Sequence, residues 1–337
     1  MFDVKRKRTC DENEWLRATE PPCEDFGYDY SDSFCSDSLD LVETCLEEEA
    51  FFEDFTHKFK NLAISNSNLT IFTDLKVGHG AYGDVYEAEY NGEKVAFKAL
   101  KPCTKLEQSF YREVEAMQAI RSPSVTKLIG VSDKALPGVP YGLILQWMEN
   151  GNLQSVLKKH TLSNYRKICI ALDIAMGLAS VHSSGFVHRD VTTTNVLLDY
   201  KFSAHLSDFG LAKRLPVKDP HILMLPNGNP FFMAPECACV EPFYTPADMF
   251  GFGVVLYELF TGTNPLQQLG RRASRELLSS VDLCIASVFP YCDAIPPKVY
   301  AIVEKCLQRD PEVRPSAQLV YRRLYQLAVE EGEGDKL

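Results

Sequence analysis

Between residues 69 and 100 polar and apolar side chains alternate, in LTIFTDLKVGHGAYGDVYEAEYNGEKVAFKAL, and Asn91-Gly92 interrupts the alternation. A period of two belongs to half-buried strands, and Asn-Gly favours a tight hairpin turn, so this stretch predicts antiparallel strands. SFYREVEAMQAIR (109–121) switches to helical periodicity, and strand-like runs follow near 126–131 and 141–147. After residue 150 helical patterns dominate. RKICIALDIAMGLASVHSSG (166–185) places Ile168, Leu172, Ala175, Leu178 and Ala179 on one stripe and ends at a glycine, a common helix stop. A strand-rich part followed by a helix-rich part predicts two lobes with a cleft between them.

The region before residue 69 reads differently. Residues 1–45 carry Phe26, Tyr28, Tyr30 and Phe34 without any period among Asp, Glu, Ser and Cys, the composition of a disordered leader. In LEEEAFFEDFTHKFKNL (46–62), Phe52, Phe55, Phe59 and Leu62 recur at helical spacing, with glutamates early and Lys58 and Lys60 late, as a helix dipole favours. This amphipathic helix is expected to pack on the next domain, the alternative being a docking helix for a partner. NLAISNSN (61–68) reads as a polar linker.

Charge sharpens this division. The 337 residues hold 35 basic and 46 acidic side chains, a net charge of −11, and 45% of them are hydrophobic, enough for a sizeable core. Residues 1–56 contain 17 acidic and 5 basic side chains, so the remainder is close to neutral. A near-neutral body without a basic stripe argues against nucleic acid as a ligand. No apolar run reaches 18 residues, so no membrane span is expected, and MFDVKRKRTC lacks the apolar stretch of a secretory signal. Eleven cysteines without a regular framework fit free thiols in a reducing compartment, so a cytoplasmic or nuclear protein is expected. KRKR (5–8) is a short candidate for nuclear import, and Ser31, Ser33, Ser36 and Ser38 alternate with acidic residues as acidophilic phosphorylation sites do. Cys10, Cys23, Cys35 and Cys45 lack zinc-site spacing, Cys237 and Cys239 read as packed thiols, and His221 as a loop residue.

The candidate chemistry starts at GHGAYGDV (78–85), where Gly78, Gly80 and Gly83 let backbone amides approach a phosphate chain. A dinucleotide fold would need a helix after this loop, and another strand follows instead. That strand carries Lys98 in VAFK, and Glu113 on the next helix is the natural carboxylate to hold it, although an isolated surface pair would mean little. In VHRDVTTTNVLL (187–198) and LSDFGLAK (206–213), Asp190 can accept a proton from a hydroxyl, and Asn195 and Asp208 can hold a hard divalent cation. Asp and Asn are also common turn residues. The ordered set, closed by MAPE (233–236), is what chance does not readily supply.

These motifs resemble the protein kinase family over residues 70–329: the glycine loop, the strand lysine, H-R-D-x-x-x-x-N, D-F-G and A-P-E. FYREVEAM, LIGV, ILQWMENGNL and FFMAPE are most similar to the tyrosine-kinase-like group of serine/threonine kinases. The resemblance implies an α+β, bilobal kinase fold, with a small antiparallel β-sheet lobe bearing helix C and a mainly helical second lobe. Residues 1–69 would be the acidic leader and 330–337 a tail. It implies Mg2+ and ATP, with Val77, Gly78, Gly80, Gly83, Val85, Ala96, Lys98, Gln146, Met148 and Leu197 around the nucleotide. Leu145 would be the gatekeeper residue at the back of the adenine site, and Met117, His188 and Phe209 would stack in a column. Lys98 and Glu113 would orient phosphates, Asn195 and Asp208 would bind metal, and Asp190 would be the catalytic base. Asp248 would bond the catalytic-loop backbone, and Arg314 would pair with Glu236. Protein substrates would be phosphorylated on Ser or Thr, the alternatives being tyrosine or dual specificity, or a weakly active scaffold, with a regulatory partner for the leader.

Three departures bear on activity. Thr192 stands where many such kinases carry a phosphate-binding lysine, and Asn229 replaces a threonine that contacts that lysine, so slower turnover is expected rather than none. Phe232 stands where tyrosine kinases carry a tryptophan, which favours Ser/Thr acceptors. Residues 211–233 contain no Ser, Thr or Tyr, although Arg189 precedes Asp190. Ordering by phosphate is thereby excluded within this segment; either Asp219 or a contact from elsewhere is expected to neutralise Arg189, or packing of Ile222, Leu223 and Leu225 is expected to order the loop.

Overall fold

The computed structural model describes residues 58–80, 83–100, 104–132, 141–218, 221–222, 227–239, 242, 244–280 and 287–334, all within the unit Glu48–Leu337. The leader up to residue 57, including Phe52 and Phe55 of the expected helix, lies outside the described residues, as do Asp219, Leu223 and Leu225.

The small lobe is a six-stranded sheet. Its strands are β1 (Ala63–Ile64), β2 (Leu69–Gly80), β3 (Gly83–Tyr90), β4 (Glu93–Ala99), β5 (Leu128–Ser132) and β6 (Gly142–Gln146), in the spatial order β1-β5-β6-β4-β3-β2. Neighbours are antiparallel except β1, which runs parallel to β5. The β3–β4 hairpin turns at Asn91 and Gly92, whose φ angles of 53° and 81° are the left-handed values a tight turn needs. Helix α1 (Thr104–Ala119) starts earlier than the periodicity from 109 suggests. The sheet buries Ala88, Val95, Phe97 and Ile144 on one face, while Leu100, Phe110, Val114, Val131 and Leu143 form a second cluster that includes α1.

The reading of 61–68 as a polar linker is corrected. Ala63 and Ile64 add a strand to the sheet, Asn66–Asn68 form a 3-10 turn, and Ile64 is buried. A two-residue strand is too short for any period to show, and its parallel pairing with a distant segment leaves no local trace.

The large lobe contains β7 (Gly151–Asn152), α2 (Leu153–Lys159), α3 (Asn164–Ser183), β8 (Phe186–Val187), β9 (Val196–Leu198), β10 (Ala204–Leu206) and β11 (Lys213–Arg214). Then come α4 (Pro235–Ala238), α5 (Pro246–Thr261), α6 (Pro265–Leu269), α7 (Arg271–Ser279), α8 (Pro297–Cys306) and α9 (Ala317–Gly334). Ser163 caps α3 by accepting the Arg166 N–H, and the chain leaves the helix at Gly185 with φ 76°. Ile168, Ala175 and Leu178 are buried as their stripe predicts, but Leu172 and Ala179 are only partly so, and Ile170, Ile174 and Val181 are buried instead. The helix is covered on more than one side, so a single stripe understates its buried face. Helix α5 is buried from Ala247 to Phe260, with hydrophobic residues all round, and its Asp248 bonds the backbone at His188 and Arg189.

Candidate active site

Alternation along β4 points Ala96 and Lys98 to one face and Phe97 into the sheet core. Val85 lies opposite Lys98 on β3, and Leu145 lies opposite Ala96 on β6, so these four residues share a face. Val77 and Gly78 lie near the end of β2, Gly78 opposite Val85, with Val77 half exposed. For Gly80 the backbone alone is described. A Cβ on Gly83 would lie 1.8 Å from the Ala99 carbonyl oxygen, so this glycine is required by strand packing as well as by any phosphate. The Gln146 N–H donates to the Lys127 carbonyl (3.0 Å) and the Met148 carbonyl accepts from Gly151 N–H (3.1 Å). Leu197, half-buried on β9, is the contribution of the large lobe.

Lys98 Nζ donates to both Glu113 oxygens at 2.8 Å and to Asp208 Oδ1 at 3.0 Å. Burial works against the ammonium charge, but Asp208 and Glu113 outweigh it and raise the Lys98 pKa above its ordinary value. Burial raises the Glu113 pKa against the opposing pull of Lys98, whereas at Asp208 Lys98 overcomes burial and lowers it. The expected holder is therefore in place, and a second carboxylate shares the ammonium.

The loop that opens at His188 is held by Asp248, at the start of α5. Asp248 Oδ2 accepts from His188 N–H (2.8 Å), Oδ1 from Arg189 N–H (2.7 Å), and Oδ2 also from His182 Nε2 (2.8 Å). Arg189 has φ 72° and Asp208 has φ 60°, conformations that strain non-glycine residues. His188 Nε2 donates to the Ser207 carbonyl (3.1 Å) and Nδ1 accepts from Asp190 N–H (3.3 Å), so the ring carries its proton on Nε2. Its ring lies 4.7 Å from that of Phe209, and Met117 is buried in the same core.

Asp190 accepts from Asn195 Nδ2 at Oδ2 (2.7 Å) and from the Asn229 N–H at Oδ1 (3.1 Å). Burial raises its pKa, the Asn229 amide opposes this, and the Asp208 charge adds to it. Asn195 Nδ2 also reaches the Asp190 carbonyl (2.9 Å). Ser207 grips the Asn195 carbonyl through both its N–H and its Oγ, each at 2.9 Å. Sequence reasoning missed Ser207 and His182. Ser207 precedes the D-F-G, and His182 is what a fully buried Asp248 requires, a signal legible only once that burial is known.

Thr192 is 1% exposed, and its Oγ1 bonds Thr194 Oγ1 (2.8 Å) and accepts from Asn195 N–H (3.2 Å). It therefore closes the loop on itself and offers nothing to a phosphate. The Asn229 side chain accepts from Phe231 N–H (3.1 Å) and likewise serves its own turn. Arg189 Nη1 donates to the Leu211 carbonyl (3.3 Å), and Ile222 is buried in the core, the described part of the segment-ordering expectation. Further on, Arg314 Nη1 and Nη2 meet Glu236 Oε1 and Oε2 at 2.6 and 2.7 Å, the expected pair.

Among sequence families, the one described as protein tyrosine and serine/threonine kinase matches residues 71–324. Serine/threonine-protein kinase STY17 of Arabidopsis thaliana is 29% identical over 270 residues, which cover 77% of this chain and 45% of that protein. Serine/threonine-protein kinase STY46 of the same plant is 30% identical, covering 77% of this chain and 45% of that protein. Dual specificity protein kinase shkB of Dictyostelium discoideum is 27% identical, covering 80% and 42% respectively. The chain thus spans less than half the length of these relatives.

Proposed function

The chain belongs to the protein tyrosine and serine/threonine kinase family, and from that membership we propose that it transfers the γ-phosphoryl group of ATP to serine or threonine hydroxyls of protein substrates. The observation that carries this reading is the Lys98 ammonium held between Glu113 and Asp208, beside an Asp190 held by Asn195 and Asn229.

The adenine lies between Val85, Ala96 and Leu197, and Met148 offers its N–H, which donates to no protein group among the described residues. Gly78, Gly80 and Gly83 cover the phosphates, and Lys98 binds the α- and β-phosphates. Asn195 commits Nδ2 to Asp190, and its Oδ1 accepts no hydrogen bond among the described residues. That oxygen and the Asp208 carboxylate form a hard donor set suited to Mg2+. Magnesium, when bound, neutralises charge on the transferring phosphates. Asp190 orients the substrate hydroxyl and takes its proton, a role favoured by the burial that raises its pKa. Loss of the lysine contact at Thr192 slows turnover without removing a metal ligand.

Phosphoamino-acid analysis of a protein substrate labelled from ATP tests the acceptor. Phosphoserine or phosphothreonine is expected, and phosphotyrosine alone would reverse the assignment. Regulation through the acidic leader predicts that deleting residues 1–57 changes activity or partner capture. The described cysteines are all free thiols, in keeping with a reducing compartment. No helix among the described residues is long and apolar enough to cross a membrane. Cytoplasmic location, with nuclear import through KRKR as the alternative, is tested by imaging the full chain with and without residues 5–8.

A further inference from the structure

We propose that Phe59 is a positioning residue for phosphate transfer: it holds α1 where Glu113 reaches Lys98. The inference rests on the kinase reading, which gives that ion pair its function.

Phe59 lies outside the site and before the sheet, yet it is 7% exposed and packs with Leu100, Phe110, Val114, Val131 and Leu143. Phe110 and Val114 flank Glu113 on α1, so the cluster that buries Phe59 also fixes the rotation of the helix about its axis. The Phe59 ring lies 5.9 Å from that of Tyr111, and Lys58 Nζ sits 4.8 Å from the Tyr111 ring centre.

The segment carrying Phe59 is itself tied down. The Leu62 carbonyl accepts from Val131 N–H at 2.9 Å, and β1 continues the pairing with β5. Gly130 admits this strap: a Cβ there would lie 2.3 Å from Ile64 Cδ1 and 2.7 Å from the Leu62 carbonyl oxygen. The strap and the helix it touches are thus seated on one strand.

The opposite side of α1 buries Ala116 and Met117, with Ile120 just past its end, in the core that also holds Phe209, so Phe59 completes the seating of the helix from its second side, and ion pairs add little. Arg214 of β11 and Glu115 approach at 3.5 Å with both side chains more than half exposed, a pair of small worth. Residues 211–233 carry no hydroxyl for a phosphate that could draw α1 inward. Apolar packing through Phe59 takes that part. Without it α1 can turn, and Lys98 keeps Asp208 as its remaining carboxylate.

The test uses the full chain with Phe59→Ala, Phe59→Leu, Gly130→Ala and, as a control for stability alone, Leu324→Ala on the buried face of α9. Hydrogen exchange of the α1 amides is measured beside kcat and the KM values for ATP and protein substrate. Phe59→Ala and Gly130→Ala are expected to speed exchange in α1 and lower kcat/KM for ATP roughly tenfold or more, with the protein-substrate KM unchanged. Phe59→Leu restores most of both. Leu324→Ala, compared at equal distance below its own melting point, changes neither. The proposal fails if Phe59→Ala lowers melting temperature as the control does but leaves α1 exchange and the ATP parameters at wild-type values. If the wild type transfers no phosphate, the kinase reading falls, while the exchange data still decide whether Phe59 holds α1.

Discussion

Arg189 and Asp208 both sit at positive φ, and each such position costs about 1–3 kcal/mol unless the surroundings hold it. Asp248 supplies the hold for Arg189 with two backbone bonds, and His182 holds Asp248. Burial raises the Asp248 pKa, but the His182 bond and the neighbouring His188 lower it overall. A depressed carboxylate stabilises the fold above its unfolded pKa, and that stability is lost as pH falls through the folded value. Asp248→Asn should therefore cost about 3 kcal/mol near neutrality, with the gap to wild type closing below about pH 4, as urea titrations at several pH values would read. A gap unchanged at low pH would mean that the carboxylate charge is not what matters. At Thr192, restoring a lysine should bring no rate gain. Thr192→Lys forfeits two hydrogen bonds of a buried hydroxyl and should lower stability by about 1–2 kcal/mol, seen as a lower midpoint in denaturant. A faster enzyme would show that the loop opens to accept the side chain.

Among the elements, those with local signatures were legible and those made by distant pairing were not. Asn91-Gly92 declared its hairpin, and Ile168, Ala175 and Leu178 declared a helix, because turn chemistry and periodicity act within a few residues. The two- and three-residue strands have no room for a period: β1, β7, β8 and β11 pair with partners far along the chain, and the β9–β10 hairpin is only three residues deep. The glycine loop was legible as a motif, but the reason for Gly83 was only half visible, since the Ala99 carbonyl comes from the next strand. Gly83→Ala should force β3 away from β4, cost about 1–3 kcal/mol and raise the KM for ATP, checked by melting and steady-state kinetics. The Glu236–Arg314 pair joins α4 to the chain before α9. Arg314 also donates to the carbonyls of Pro246, Gln308 and Arg309. Glu236→Gln leaves that guanidinium buried and half-paired, and should destabilise by about 3–5 kcal/mol in thermal or urea unfolding.

At the scale of the whole molecule, the family's ordered motifs named side chains that the fold brings together, each of a type that its contacts require. Lys98, Glu113 and Asp208 converge from a strand, a helix and a turn, and Asp190, Asn195 and Asn229 converge from two loops. Contacts inside that convergence were beyond sequence reasoning, since whether Thr192 faces a phosphate or its own loop depends on burial. The central claim is that these groups transfer phosphate. The direct test is magnesium-dependent transfer of labelled γ-phosphate from ATP to a protein substrate, comparing wild type with Asp190→Asn and Asp208→Asn while nucleotide binding is followed in parallel. The account predicts transfer by the wild type and a loss of roughly 100-fold or more in each variant, with Asp190→Asn still binding ATP. A folded wild type that binds ATP and transfers nothing, or an Asp190→Asn variant that transfers at the wild-type rate, would contradict it.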